Sequence, residues 1–247
     1  MRDIFVAELV GTFLLILLGD GVVANVLTRK SGMYGGGPLQ ITIGWGLAVM
    51  IPAAIFGAMS GAHFNPALTL ALAYNGGITW DTVPFYIAGQ MLGAMIGALF
   101  VYLLYKDHFE ETVKTEDPAV VRGCFCTAPS IRNTGRNLLS EIMGTFVLVF
   151  AILGFANVAG ASDVGIDKLF VYGLILSIGV STGGLTGYAI NPARDLGPRI
   201  MYAILPFSKK ADTMWDYSWV PVVGPIIGAF LACLLYTSPS PRDATLS

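Results

Sequence analysis

SGAHFNPALTL, residues 60–70, sets the triplet Asn65-Pro66-Ala67 at the head of a short apolar run, and the triplet returns at Asn191-Pro192-Ala193. Asparagine is a strong helix N-cap and proline is favoured at the first helical position, so each triplet reads as a helix start. The runs that follow, 66–74 and 192–204, are apolar but too short to cross a bilayer, which takes about 20 residues per helix. Two half-helices, 65–74 and 191–204, are therefore expected to begin in mid-membrane. Each would point unsatisfied N–H groups and roughly half a positive charge at whatever lies at that depth.

Composition supports the membrane setting. Of 247 residues, 55% are hydrophobic and 12% charged, with a mean hydropathy of +0.69; soluble domains carry about 25% charged residues. A net charge of -2 without a basic cluster speaks against nucleic acid as a partner. Six apolar stretches are predicted to span: 4–27, 39–59, 82–105, 137–160, 169–187 and 217–236. The first exceeds the roughly 7–15-residue core of a signal peptide and reads as an uncleaved span.

The chain repeats itself. Ala7-Glu8-Leu9-Val10-Gly11-Thr12 answers Ser140-Glu141-Ile142-Met143-Gly144-Thr145, and Gly89 and Gly93 answer Gly224 and Gly228. Span, span, half-helix, span thus occurs twice, in 1–105 and 137–232. Three crossings per half is an odd number, so the second copy is inverted, an arrangement that puts a solute site at the midplane. The expected fold is an all-α membrane protein of six transmembrane helices plus two re-entrant half-helices. Gly89, Gly93 and Gly97, spaced i, i+4, i+8, predict close helix packing in lipid. The connection 106–136 reads as a surface linker on the extracellular side.

Irregular backbone at bilayer depth is tolerated only where it is buried in protein or lines a wet cavity. Segments 60–64 and 183–190, rich in small residues, would supply such backbone before each start. Their carbonyls can form an acceptor ladder, with the Asn65 and Asn191 amides as donors. The result would be a polar track for water and neutral hydroxylic solutes, while two positive helix ends oppose cations.

Charges within or beside the spans are few: Glu8, Asp20, Glu141, Arg194 and Asp195. Each is a functional candidate, since ionisable groups are costly there. The paired Glu8 and Glu141 are read as acceptors for loop N–H groups rather than a proton relay. Arg194 has no counterpart at Leu68 and is a candidate filter donor; a structural ion pair with Asp195 is the alternative. No nucleophile, base and orienting group can be assembled, so no catalytic residue is assigned and an enzyme is not expected. The C-x-C pair Cys124 and Cys126 lacks a partner cluster, so neither a metal site nor another cofactor is expected.

Residues 233–247 stand apart. Cys233 to Asp243, CLLYTSPSPRD, matches the in-frame translation of a common transposase sequencing adapter. The expectation is that the native sequence departs near Ala232 and that 233–247 is a non-native tail.

Taken together, S-G-A-H-x-N-P-A and G-x-x-x-N-P-A-R-D-x-G-P resemble the paired motifs of the major intrinsic proteins, specifically the aquaglyceroporins or glycerol facilitators, over residues 4 to about 232. The resemblance implies an aquaporin-like right-handed bundle, a homotetramer with one pore per subunit, and cytoplasmic termini in the plasma membrane. It places Trp45, Gly179, Tyr188 and Arg194 in a selectivity filter, Tyr188 standing where glycerol facilitators usually have phenylalanine. It assigns the carbonyl ladder to Gly61, Ala62, His63, Gly187, Tyr188 and Ala189, and makes Asp195, with Pro221 and Val222, a mark of glycerol-conducting members. The implied solutes are glycerol, water and similar small uncharged molecules. His63 is read as a structural member of its loop rather than a pH gate.

Charge bias runs against that orientation. With both termini cytoplasmic, the inner loops before the end of the last span hold Arg2 and Lys168. The outer loops hold Arg29, Lys30, Lys106, Lys114, Arg122, Arg132, Arg136, Arg194, Arg199, Lys209 and Lys210. A secondary transporter of a small polyol also fits inverted repeats and broken helices. It would need a coupling-ion site, for which only Glu8 and Glu141 lie at a suitable depth.

Overall fold

The computed structural model describes residues 1–237. Among them the chain forms nine helices and no strand: α1 (Arg2–Leu27), α2 (Gly37–Ser60), α3 (Pro66–Tyr74), α4 (Val83–Thr112), α5 (Ala119–Gly123), α6 (Thr134–Phe155), α7 (Ile166–Thr186), α8 (Pro192–Ile204) and α9 (Val220–Thr237). All but α3, α5 and α8 are long and apolar enough to cross a membrane. The half-helices start and stop where the sequence puts them, because Asn65 and Asn191, in extended conformation, cap them and proline opens them.

Two spans, α4 and α6, have ends that differ from the hydropathy reading. Helix α4 continues past Tyr105 to Thr112, since residues 106–112 are too polar to count as lipid-facing yet include good helix formers such as Lys106 and Glu110. Helix α6 begins at Thr134, behind the cap of Asn133, whose side chain accepts from Arg136 N at 3.1 Å. It ends at Phe155 rather than running on to Gly160, because Asn157, Gly160, Ser162 and Asp163 are turn formers.

The reading of 106–136 as surface linker needs correction. Val121, Cys124, Phe125 and Cys126 are buried, and the Phe125 ring meets those of Phe109, Tyr202 and Phe207 at centroid distances of 5.4–5.8 Å. The polar end of α4 and its C-cap carry the buried Phe109 and Val113, and the linker closes over them. Of the expected tail, residues 238–247 lie outside the described residues. Cys233 is buried in α9, where its Sγ donates to the Ala71 carbonyl at 3.4 Å.

Glycine brings the long helices together. A Cβ on Gly93 would lie 2.2 Å from the Leu9 carbonyl oxygen, and one on Gly228 would lie 2.1 Å from that of Ile142. α4 therefore runs against α1, and α9 against α6, backbone to backbone, at matching places in the two halves. The halves also interlock. Half-helix α3 packs on α9 and half-helix α8 on α4, so each lies against the last span of the opposite half.

Gly93→Val and Gly228→Val are expected to cost about 1–3 kcal/mol or more by overpacking, whereas Gly21→Ala, where a Cβ meets nothing within 4 Å, is expected to be neutral or slightly stabilising. Thermal unfolding in detergent, followed by light scattering, checks the contrast. All three cysteines are buried, and burial pushes the Cys126 thiol up to about 12. Because the thiolate is the nucleophile, maleimide at pH 8 is expected to leave the folded protein unlabelled and to label it after denaturation in SDS.

Candidate functional site

The site is built on two short loops of matching conformation. Gly61, Ala62 and Phe64 have φ of 78, 54 and 49°, and Gly187, Tyr188 and Ile190 have φ of 80, 37 and 44°. Left-handed backbone at non-glycine residues costs free energy and persists only where surroundings enforce it. Here the enforcement comes from two buried glutamates. Glu8 Oε1 accepts from Ser60 Oγ at 2.6 Å and His63 N at 3.0 Å, and Oε2 accepts from Phe64 N and Gln90 Nε2, both at 2.7 Å. Glu141 Oε1 accepts from Thr186 Oγ1 at 2.7 Å and Ala189 N at 3.1 Å, and Oε2 from Ile190 N at 2.8 Å.

The repeated E-x-x-G pattern has a second part. A Cβ at Gly11 would stand 2.0 Å from the Phe64 ring, and one at Gly144 would stand 2.9 Å from Ile190 Cγ2. The glutamate thus holds the loop's N–H groups, and the glycine one turn later makes room for the loop's side chain. In a trans peptide the carbonyl points opposite to the N–H. With the N–H groups of His63, Phe64, Ala189 and Ile190 drawn to the glutamates, the carbonyls of Ala62, His63, Tyr188 and Ala189 point the other way. Those four residues line the central cavity.

The two half-helix starts clasp one another. Asn65 Oδ1 accepts from Ala67 N at 2.9 Å, and its Nδ2 donates to the Ile190 carbonyl at 2.8 Å. Asn191 Oδ1 accepts from Ala193 N at 3.0 Å and Arg194 N at 3.2 Å, and its Nδ2 donates to the Phe64 carbonyl at 2.8 Å. Each side chain caps its own helix and ties down the opposite loop. The Pro66-Ala67 and Pro192-Ala193 pairs behind them are buried. Both asparagines line the cavity, which has a volume of about 260 Å³ and also touches Leu15, Leu68, Leu148 and Ile175.

Trp45, Tyr188 and Arg194 line the same cavity. The guanidinium carbon of Arg194 lies 4.0 Å from the Trp45 ring centroid, and Arg194 Nη1 donates to Asp20 Oδ1 at 3.2 Å. Asp195, the alternative partner, is instead held by Arg199 through Nε at 2.8 Å and Nη2 at 3.1 Å, and by Thr127 N and Oγ1 at 2.8 and 2.6 Å. The Arg194–Asp195 pair does not form because Asp195 points away from the cavity, toward the linker. Arg199 continues that tie to the carbonyls of Thr127 and Thr213.

Gly179 and Gly187 do not line the cavity. A Cβ at Gly179 would stand 2.8 Å from Tyr188 Cζ, and one at Gly183 would stand 2.8 Å from Tyr188 Cδ1. The two glycines form the seat of the tyrosine ring. Gly187 closes α7 in left-handed conformation. His63 lines the cavity with its ring stacked on Tyr86 at 4.4 Å and Nδ1 3.1 Å from Thr69 Oγ1. Asp167 and Lys168, paired with each other, stand where the cavity passes α7. No group of three or more His, Cys, Asp or Glu residues suited to a metal ion occurs among the described residues.

The family model described as major intrinsic protein matches residues 1–236. The chain belongs to this family. Its members are passive channels rather than enzymes. Among the relatives of this major intrinsic protein, a probable glycerol uptake facilitator protein of Thermotoga maritima is 52% identical over 95% of this chain and 98% of its own. A glycerol uptake facilitator protein of Bacillus subtilis is 50% identical over 95% of this chain and 84% of its own. In three dimensions the chain is similar to the X-ray structure of the aquaglyceroporin from Plasmodium falciparum, with a TM-score of 0.83 and 31% identity, covering 100% of this chain and 99% of that one.

Several partners in this major intrinsic protein escaped the sequence reading. Gln90 donates to both Glu8 and Thr69, at 2.7 and 2.9 Å. Gly19 leaves space for Trp45, since a Cβ there would stand 2.2 Å from its ring. Thr127 and Arg199 complete the shell of Asp195. Of these, Gly19 alone has a local signal in the chain, since it precedes a charged residue inside a span.

Glu8→Gln and Glu141→Gln replace a charge-assisted acceptor with an amide whose NH2 faces backbone donors. Each is expected to lower stability by about 2–3 kcal/mol, read as a lowered unfolding temperature in detergent. Ser60→Ala, which removes one donor to Glu8, is expected to have a smaller effect.

Proposed function

We propose that this chain is a passive channel for glycerol, water and similar small uncharged solutes that excludes protons and ions. The observation that carries the reading is the single cavity shared by Trp45, Tyr188 and Arg194, by carbonyl-bearing loop residues and by an apolar wall. A polyol has one hydroxyl-bearing face and one C–H face. Arg194 and the carbonyls suit the first, and the aromatic rings with Leu148 and Ile175 suit the second. The names of the relatives from Thermotoga maritima and Bacillus subtilis support glycerol as the solute.

Ion exclusion follows from the helix starts. Two N-termini, each carrying roughly half a positive charge, act on a cation about 5 Å away with a combined repulsion of about 3 kcal/mol at an effective dielectric of 20. That alone is a factor of about 100 in occupancy, added to the cost of stripping the ion of water. The Asn65 and Asn191 amides donate to the same centre, which orients a passing oxygen as acceptor. Coupled transport finds little support, since both oxygens of Glu8 and of Glu141 are engaged by loop and side-chain donors.

The protein is read as a homotetramer in the plasma membrane, with cytoplasmic termini. Fusing a reporter active only in the cytoplasm to the N-terminus tests that orientation against the contrary charge bias of the loops.

In proteoliposomes, stopped-flow light scattering is expected to show glycerol and water permeability above that of empty vesicles, and planar bilayers are expected to show no proton or sodium current. Tyr188→Phe is expected to shift the glycerol-to-water ratio, because the Tyr188 hydroxyl is buried without a partner among the described residues; an unchanged ratio would remove that hydroxyl from selection.

A further inference from the structure

Asp20 does not line the cavity and is 1% exposed, and among the described residues its side chain hydrogen-bonds to the cavity wall through Arg194. It differs from the other buried acids. Both oxygens of Glu8, Glu141 and Asp195 are engaged by hydrogen-bond donors, whereas Asp20 Oδ2 has no partner among the described residues. The charge of Asp20 is therefore not spent on holding a loop.

The pore that Arg194 lines is otherwise positive near that charge. Its centre carries two positive helix ends and its filter carries Arg194. That combination repels cations but is a ready-made anion site, because helix N-termini and a guanidinium fork both bind anions. The acid that lines the cavity, Asp167, is paired with Lys168. Asp195, next to Arg194 in sequence, is taken by Arg199 and Thr127. Asp20 is the carboxylate left to face Arg194.

We propose that Asp20 is a positioning and specificity-determining residue of the filter, which holds the Arg194 guanidinium and offsets its charge so that small anions do not lodge beside it. The inference rests on the reading of the cavity as a conduit for neutral solutes. Two consecutive residues of α1 set both sides of the guanidinium. Gly19 leaves space for the Trp45 ring that stacks on its face, and Asp20 takes Nη1 at its edge. Arg194 then keeps its other N–H groups for a hydroxyl while presenting little net charge, and the low-polarity surroundings let the offset act without screening.

The test compares glycerol flux into proteoliposomes in sodium nitrate and in sodium gluconate, nitrate being a small planar anion that fits a guanidinium fork and gluconate being too bulky to enter. Wild-type flux is expected to be nearly the same in both salts. Asp20→Asn is expected to run about tenfold slower in roughly 0.1 M nitrate than in gluconate, the loss produced by a blocking anion held with a Kd of about 10 mM. Asp20→Glu is expected to restore the wild-type ratio, which a purely structural role of Asp20 would not predict. Equal flux of Asp20→Asn in the two salts overturns the proposal, as does equal nitrate sensitivity in the wild type; a carboxyl that is neutral in the folded protein gives the first of these results. If Asp20→Asn fails to assemble, Asp20→Asn combined with Arg194→Gln is measured. Recovery of a folded, nitrate-insensitive protein supports the charge offset, and failure of both variants overturns it by making Asp20 a packing residue. Absence of wild-type glycerol flux overturns the function proposed above, and this inference with it, whereas wild-type flux with an unchanged Asp20→Asn ratio overturns this inference alone.

Discussion

Irregular backbone in the middle of a bilayer has no water to fall back on, so every N–H and C=O in it needs a protein partner or a wet cavity. The two loops before α3 and α8 meet that constraint by dividing their polar groups between two sides. Buried Glu8 and Glu141 take the N–H groups, the asparagine amides take the carbonyls of Phe64 and Ile190, and the remaining carbonyls belong to residues that line the cavity. Remove the division and the loop becomes either an unsatisfied segment or an ordinary turn. Cavity, helix starts and filter all inherit their positions from it.

The halves share this framework but not its use. Glu8 and Glu141, Gly11 and Gly144, and Asn65 and Asn191 occupy matching places and do matching work. Leu68 and Arg194 also occupy matching places, yet one is an apolar lining residue and the other a stacked, ion-paired guanidinium. Duplication supplies a symmetric pair of helix starts at the centre. On the proposed function, selection among solutes falls to residues that break the symmetry: Arg194, Asp20, Trp45 and Tyr188.

Much of this was readable from the chain itself, for identifiable reasons. Asparagine followed by proline is a local signal, so the bounds of α3 and α8 emerge from a few residues. Glycines at helical spacing indicated close helix packing, though not which spans meet. What stayed hidden depended on contacts distant in sequence. Asp195 was visible as a buried acid, but its choice of Arg199 over Arg194 is set by a linker residue, Thr127, 68 positions away. The linker itself read as surface because its buried residues, Cys124 to Cys126, form too short a run to stand out between charges. Asp20 was visible as a costly charge in a span, but its partner lies 174 residues on, beyond any pattern of spacing.

The crossing of each half-helix onto the opposite half bears on how such a chain is made. α3 is complete by residue 74, but the surface it packs on is α9, which starts at Val220. During synthesis the first half therefore enters the bilayer with its half-helix lacking its final neighbour, and it keeps that state until α9 has been translated. Neither half can finish alone. The last of the described helices, α9, is the one that seats the first re-entrant segment, so the conduit is assembled only once α9 has emerged, and a chain stopped before it has no completed pathway through which to leak.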